Sequence, residues 1–277
     1  MVITAQEVAA LRQKTGAGMM DCKKALIESG GDFEKAIDFL RKKGQKILAD
    51  RAAYHAGEGA VFACASSNNK QSFLLVINCE TDFVAKSELF VTLGKRILEA
   101  AVAHNPISIA TLEALPLGNQ TVQAAMVAAT GTVGEKITIS AYETLTAEVT
   151  VPYIHTGNRL AALVALEGGQ GEDVLAAGKD VAMQIAAMAP VALDKDQVDS
   201  TVVERESAVI HAQVIAEGFD SNKAEKITQG RLNKFFQDNT LLQQPFVKNN
   251  KLTVAQYLKT VAPTLTVTAF KRIGVGA

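Results

Sequence analysis

The sequence is poor in cysteine and in histidine. Three cysteines, Cys22, Cys64 and Cys79, occur among 277 residues, and none of them forms a CxxC pair. A sparse, odd set of cysteines is typical of reduced thiols, so we expect a cytoplasmic protein. The four histidines stand far apart and show no ligand spacing, which argues against a metal site made by this chain alone.

Long apolar runs and an excess of either charge are also missing. No stretch approaches the roughly 18 consecutive apolar residues of a membrane-spanning helix, so we expect no membrane association. The 28 basic residues nearly match the 29 acidic ones. This balance gives no electrostatic footprint for direct binding of nucleic acid or of an anionic membrane. The first residues show no basic leader ahead of an apolar run, so a secretory signal is not expected.

The common catalytic motifs are absent from the sequence. The stretch GTVGEKIT, residues 131–138, lacks the spacing of a P-loop, and neither GxGxxG after a strand nor GxSxG occurs. Cys79 could meet a distant histidine in space, but it follows an apolar strand and is more simply a small buried hydrophobe. We therefore predict no catalytic residue and no cofactor, with a thiol enzyme that uses Cys79 as the enzymatic alternative.

Residues 1–45 predict a small bundle of three short helices. Thr4 and Glu7 form a capping box at the first helix, and Asp32 is the expected N-cap of the third. A bundle of this size has little core of its own and is more typical of an interaction module than of an enzyme. The alternative is a mere appendage of the fold. A polar, partly helical linker is expected at 46–55.

Two adjacent methionines open the second predicted helix of this bundle. Because neighbouring residues on a helix point in different directions, Met19 and Met20 cannot share one core stripe. We expect one in the core and the other exposed as adaptable contact surface. The alternative buries both at the start of the helix.

The middle of the chain reads as a duplication. Each copy has two strands joined by a polar turn, followed by a helix, and the two helices align without gaps at a distance of 84 residues. Gly94 then matches Gly178, and Pro106 matches Pro190. We predict an α+β fold whose core has two related subdomains, each an antiparallel sheet with a helix on one face. The two subdomains span residues 56–144 and 145–277.

The two copies differ at the corner between the second strand and the helix. The first copy carries about four extra residues within Cys79–Lys86, whereas the second makes the corner with EGGQGED, which is ordinary turn chemistry. The unit can therefore fold without the Thr81-Asp82-Phe83-Val84 element, and this favours a functional role for it. The alternative is that Phe83 covers the local core, with Thr81 as a helix N-cap.

A helical hairpin is predicted within the second subdomain, at about residues 196–238. Its two charged helical segments are split at GFDSN. Apolar residues of the first segment repeat every seven positions at Val202, Val209 and Ala216, with a neighbouring pair at Val203 and Ile210. The return segment is lined by Ala224, Ile227, Arg231 and Phe235. We predict an antiparallel coiled coil that buries its own seam and projects from the body, the alternative being two ordinary surface helices.

Two motifs, LRQKTGAGMMDCKKAL and NCETDFVAK, closely resemble those of the elongation factor Ts family, in order and at fitting spacing. The resemblance covers nearly the whole chain. It implies a UBA-like N-terminal bundle and a guanine-nucleotide exchange factor of elongation factor Tu that does no covalent chemistry. Such a factor binds the GDP-bound partner, displaces Mg²⁺ and promotes GDP release in translation elongation. The alternative is a non-catalytic chaperone or scaffold that binds a partner through the N-terminal module and the hairpin.

The resemblance also implies roles for particular residues. Thr81, Asp82, Phe83 and Val84 match the family's segment for dislodging Mg²⁺ from elongation factor Tu, in which the phenylalanine wedges between helices of the GTPase domain. Arg12, Met19 and Met20 match its N-terminal contact with that domain. His155 is carried over as a contact of the second core half. Some members have a further C-terminal helix that touches the GTPase domain, and the sequence given ends at FKRIGVGA, so we expect that contact to be absent or supplied otherwise.

Overall fold

The chain begins with three helices in the computed structural model, which describes residues 3–276 apart from the side chains of Ser221 and Asn222. Met1 and Val2 of the predicted N-terminal bundle and Ala277 of the second predicted subdomain lie outside the described residues. The helices are α1 (Ala5–Thr15), α2 (Met19–Glu28) and α3 (Phe33–Asp50). The capping box of Thr4 and Glu7 is confirmed, as is the N-cap at Asp32. Since α3 continues to Asp50, the first half of the predicted linker is helical.

The first core half contains a three-stranded antiparallel sheet in the order β1-β2-β5. The predicted strand pair and the helix that follows it are present, and a segment with two further helices leads to the third strand. The elements are β1 (Glu58–Ala65), β2 (Gln71–Cys79), α4 (Asp82–Ala85), α5 (Glu88–His104), α6 (Ile109–Glu113), β3 (Pro116–Leu117), β4 (Gln120–Thr121), α7 (Val122–Val133) and β5 (Thr138–Thr146).

The second core half repeats this plan with a sheet in the order β6-β7-β10. The long helical pair is inserted between its helix and its third strand, after a short 3-10 turn at Lys195–Gln197. The elements are β6 (Val149–Ile154), β7 (Leu160–Glu167), α8 (Glu172–Met188), α9 (Ser200–Ala216), α10 (Ser221–Asn239), β8 (Pro245–Phe246), β9 (Asn249–Thr253), α11 (Val254–Val261) and β10 (Thr266–Gly274). The α+β class is confirmed.

Corresponding helices of the two halves have the same length and the same surroundings. Both α5 and α8 have 17 residues, and their bounds differ by 84 positions. Gly94 lies against the ring of Phe62 on β1, and Gly178 lies against Val151 on β6, in each case with no room for a Cβ atom. A helix can lie this close to its sheet only where the contacting residue has no side chain. The close approach of each helix to its sheet therefore explains why a glycine occupies the matching position in both copies.

The two sheets pack face to face, with α5 and α8 on the outer faces. Side chains alternate along a strand, so the residues of β2 divide between two cores. Phe73, Leu75 and Ile77 face α5, whereas Leu74 and Val76 join Ala161 and Leu163 of β7 between the sheets. The sequence predicts that a helix covers one face of each sheet, and it gives no sign that the other two faces cover each other. None of the helices within residues 3–276 combines the length and apolar character needed to cross a membrane.

Helices α9 and α10 form an antiparallel pair with a small core of their own. Buried Ile210 and Val214 of α9 meet buried Ala224 and Leu232 of α10. Of the two predicted stripes on α9, the pair Val203 and Ile210 lies in the seam, whereas the stripe through Val209 does not, because that side chain is exposed. A helix advances 100° per residue, so stripes that start one residue apart face different directions and only one of them can form the seam.

A buried amide network anchors the base of this helical pair. Gln184 of α8 is fully buried; its amide nitrogen donates to Gln244 Oε1 at 3.0 Å, and its oxygen accepts from the amide of Val247 at 2.8 Å. Gln184→Leu is expected to lower the free energy of unfolding by about 1–3 kcal/mol, because the side-chain oxygen of buried Gln244 would lose its donor and the amide of Val247 would lose its acceptor.

Urea unfolding monitored by circular dichroism measures this loss. The matched control is Gln123→Leu on α7, where the glutamine is exposed. We expect no comparable loss in the control. Equal stability of Gln184→Leu and the unmodified chain would contradict a structural role for the network.

Candidate functional site

The corner after β2 contains the one-turn helix α4. Thr81 has extended backbone angles, and its hydroxyl accepts a hydrogen bond from the amide of Val84 at 3.4 Å. At the other end, Ser87 donates to the carbonyl oxygen of Val84 at 2.8 Å and caps α5. Eight residues separate β2 from α5, whereas four separate β7 from α8. The four extra residues that the sequence comparison predicted are therefore present, and α4 lies among them.

The ring of Phe83 projects from this corner into solvent. Phe83 is 83% exposed, whereas the next most exposed phenylalanine of the described residues, Phe219, is 41% exposed. Ala85 is buried and Val84 packs at the edge of the first core, so these two residues hold α4 down. The alternative that Phe83 covers the local core is wrong, although Thr81 is the N-cap which that alternative assumed.

The carboxylate of Asp82 lies one helical turn from a lysine. Lys86 Nζ lies 2.6 Å from Asp82 Oδ2. The hydrogen bond from Lys86 is the main reason that the pKa of Asp82 is held below its ordinary value. Asp82 is thus ionised at neutral pH, next to the exposed ring. Both groups of the pair remain accessible to a partner.

Two glutamates outside α4 hold the corner in place. The carboxylate of Glu135 accepts from the amide of Thr81 at 3.0 Å and from its hydroxyl at 2.7 Å. In return, the amide of Lys136 donates to Glu80 at 2.8 Å. Glu80 also accepts from Arg51, which follows α3. The corner is thereby tied both to the segment before β5 and to the end of the N-terminal module.

No sequence pattern predicts a role for Glu135. The stretch around it, residues 131–138, only lacks the spacing of a phosphate-binding loop. The carboxylate of Glu135 accepts a hydrogen bond from a residue 54 positions earlier, and local sequence patterns do not indicate contacts between residues so far apart. The presence of Glu80 in the NCETDFVAK motif was the one available hint.

The predicted residues of the N-terminal module are all exposed. Met19 is 45% and Met20 76% exposed, so both alternatives that bury one or both of them are wrong. Arg12 is exposed near the end of α1. The loop after α1 lies beside the first turn of α5, where Gly16 approaches Leu89. The module's exposed end is therefore close to the beginning of the helix that follows the Phe83 corner.

His155 lies at the exposed turn between β6 and β7. Its ring nitrogen Nδ1 is 3.1 Å from the hydroxyl of Tyr153. The same turn and the corner that contains α4 both line a groove of about 730 Å³. Asp82 and Lys86 line it together with Gly157 and Asn158. The structure thus brings the turn that carries His155 near the corner, although no direct contact joins His155 to Phe83.

Cys79 is fully buried at the end of β2. Its thiol donates to the carbonyl oxygen of Thr81 at 3.1 Å. Burial and the nearby Glu135 carboxylate raise the pKa of Cys79 to about 11. The nucleophilic form of cysteine is the thiolate, so the environment opposes the thiol-enzyme alternative. Among the described residues, no group of three His, Cys, Asp or Glu side chains is placed to hold a metal ion.

Native Cys79 is expected to react with iodoacetamide at neutral pH far more slowly than the same cysteine in the unfolded chain. Labelling followed by peptide mass spectrometry checks this, and rapid labelling of the folded protein would revive the thiol-enzyme alternative.

Because the Cys79 thiol keeps its proton more tightly in the folded chain than in the unfolded chain, the free energy of unfolding should fall as pH rises from 9.0 towards about 11. The decline should be shallower in Cys79→Ala.

The chain is similar to known proteins over its whole length. A family model described as "Elongation factor TS" matches residues 80–277. A protein named Elongation factor Ts from Amoebophilus asiaticus is 56% identical over 277 residues, which is 100% of each chain. Proteins of the same name are 50% identical in Cytophaga hutchinsonii, over 99% of each chain, and 42% identical in Porphyromonas gingivalis, over 100% of each chain.

These likenesses assign the chain to the elongation factors of protein biosynthesis. The family match covers more than half of the chain, and the relatives cover all or nearly all of it. The chain belongs to the elongation factor Ts family.

Proposed function

We propose that the chain is a guanine-nucleotide exchange factor of elongation factor Tu. It binds the GDP-bound partner, displaces Mg²⁺ and promotes GDP release, so that GTP can bind during translation elongation in the cytoplasm. The observation that carries this proposal is the 83% exposed ring of Phe83 on a short helix that is fixed at both ends. The proposal includes a UBA-like N-terminal bundle and a coiled-coil character of the α9–α10 pair, both implied by the family.

Phe83 supplies the wedge of this mechanism. A GTPase of the P-loop type holds its nucleotide through loop amides, a lysine and Mg²⁺ that bridges the phosphates. Mg²⁺ requires near-ideal octahedral geometry, so a small shift of the helices around it weakens nucleotide binding. Moving the ring of Phe83 from water into the partner contributes about 1.5–3 kcal/mol. Val84 packs against the core of its own chain and gives the ring a rigid base.

Asp82 has an orienting role in this proposal. A carboxylate that bound the ion tightly would retain Mg²⁺, whereas exchange requires that the ion leave. The negative charge of Asp82 suits a helix N-terminus of the partner. Its ion pair with Lys86 holds the carboxylate beside the ring until the partner arrives.

The remaining predicted residues add affinity on either side of the corner. Arg12, Met19 and Met20 contact the GTPase domain, and His155 contacts another domain of the partner. Coupling between two binding events is reciprocal, and each link is typically about 1–3 kcal/mol, so several contacts must act together. Such a mechanism needs no general acid, general base or cofactor of the chain's own. It also needs no direct contact with nucleic acid.

Stopped-flow release of a fluorescent GDP derivative from elongation factor Tu tests the proposal. We expect the release rate to rise with the concentration of this chain and to saturate, because GDP then leaves from a ternary complex of elongation factor Tu, GDP and this chain. A chaperone or scaffold would bind the partner and leave the nucleotide release rate unchanged. That result would overturn the proposal in favour of the binding alternative.

A further inference from the structure

Helix α4 is too short to hold its own direction. It has four residues, Asp82 to Ala85, and isolated helices of this length are unstable because nucleating a first turn is costly. The direction in which Phe83 projects must therefore be fixed by groups at the two ends of α4. The C-terminal end is held by the hydrogen bond from Ser87 and by the packing of Ala85 in the core.

The N-terminal end is held by Thr81, and Thr81 is in turn oriented by Glu135. A hydroxyl group has one proton to donate. The Thr81 hydroxyl gives that proton to Glu135 at 2.7 Å, so its lone pairs are left for the amide of Val84. The second oxygen of Glu135 accepts the amide proton of Thr81 at 3.0 Å. One carboxylate thus fixes both the backbone and the side chain of the cap.

Glu135 is itself held at a junction of three parts of the fold. It follows the end of α7 at Gly134 and precedes β5. The next residue, Lys136, donates its amide proton to Glu80 and its ammonium proton to the carbonyl oxygen of Ala52, just beyond α3. The backbone from which the Glu135 carboxylate projects is therefore held in place relative to both the first sheet and the N-terminal module.

We propose that Glu135 is a positioning residue that fixes the direction of Phe83 towards the partner, an inference that rests on the proposed exchange function. Glu135 acts through Thr81 and needs no contact of its own with elongation factor Tu. When its carboxylate is removed, α4 remains attached through Ala85 and Ser87, and the ring of Phe83 samples a wider range of directions. A smaller fraction of encounters with elongation factor Tu then inserts the ring of Phe83 into the partner.

The second core half offers a matched control for this role. Glu148 accepts the amide proton of Gly168 at 2.8 Å, immediately after β7. This carboxylate likewise accepts an amide proton within a strand-to-helix corner, in the copy without an aromatic residue at that corner. Glu148→Ala therefore removes a similar hydrogen bond without disturbing α4.

The test compares Glu135→Ala, Glu135→Gln and Glu148→Ala in the fluorescent GDP assay at saturating protein. We expect Glu135→Ala to slow maximal release about 5-fold or more. Glu148→Ala should match the unmodified chain. Glu135→Gln should fall between them, because its amide keeps one acceptor for Thr81. In a Phe83→Ala background, Glu135→Ala should cause no further slowing, since both changes act through the same ring.

Hydrogen exchange of the peptide that spans 80–87 separates this inference from the proposed function. In the free protein, the amide hydrogens of this peptide should exchange faster in Glu135→Ala than in the unmodified chain, whereas Glu148→Ala should leave their exchange unchanged. Unchanged exchange in Glu135→Ala, or equal slowing of GDP release with and without Phe83, would overturn the positioning role. If the unmodified chain itself failed to accelerate release, the proposed function would fail, and hydrogen exchange would still decide whether Glu135 holds the corner.

Discussion

Phe83→Ala is expected to slow the release of GDP from elongation factor Tu by more than tenfold while leaving the fold intact. A tenfold change in rate corresponds to about 1.4 kcal/mol, and burial of a phenylalanine ring contributes about 1.5–3 kcal/mol. Loss of the ring therefore suffices for the effect. Because the ring is 83% exposed in the free chain, the free energy of unfolding should change by less than about 0.5 kcal/mol.

Ile107→Ala is the matched control for this prediction. Ile107 is 92% exposed and lies just beyond the C-terminal end of α5, whereas Phe83 lies just before its beginning. A helix of this length spans about 25 Å, so the control removes exposed apolar surface at a distance from the corner. Equal release kinetics for Phe83→Ala and the unmodified chain would show that the ring is not the wedge.

The same substitution at two helical glycines is expected to change stability in opposite directions. On α3, a Cβ atom at Gly44 would overlap the backbone carbonyl of Val127 on α7. The neighbour is backbone and cannot turn aside, so the two helices must move apart. Gly44→Ala should therefore destabilise the chain by about 1–3 kcal/mol. On α10, Gly230 has no atom within 4 Å of such a Cβ, and Gly230→Ala should stabilise by about 0.5–1 kcal/mol.

Thermal unfolding and urea titration of the two variants measure this difference. Since α3 joins the N-terminal module to the core through this contact, Gly44→Ala should also raise the concentration of chain needed for half-maximal GDP release. The maximal rate should fall less than it does in Phe83→Ala, because the ring is retained. Equal stability of Gly44→Ala and Gly230→Ala would mean that α3 and α7 do not meet as closely as described.

The exposure of Phe83 was predictable because the chain contains two copies of the same strand-strand-helix unit, which can be compared with each other. The second copy turns the same corner in four residues, from 168 to 171, so an eight-residue corner in the first copy is not required by the fold. Turn chemistry and capping are local, and this is why the capping box at Thr4 and the N-cap at Asp32 are correct. Local patterns report what residues do within about one helical turn.

Features that depend on distant residues were not predictable in this way. The face-to-face packing of the two sheets joins Leu74 and Leu163, and both faces of β2 are buried, so its apolar run could not indicate what covers each face. The sequence offered two stripes for the seam of the helical pair, and it could not decide between them because Val209 and Ile210 are both apolar. The hydrogen bonds of Glu135 to Thr81 span 54 positions and leave no periodic trace.

The most direct test of the central claim is the dependence of GDP release on Mg²⁺. At saturating protein and physiological Mg²⁺, Phe83→Ala should release GDP from elongation factor Tu more than tenfold more slowly than the unmodified chain. If the ring acts by displacing the ion, the two rates should converge once Mg²⁺ is removed with EDTA, because the step that Phe83 promotes has already occurred. A deficit of the same size in EDTA would contradict displacement of Mg²⁺ by Phe83.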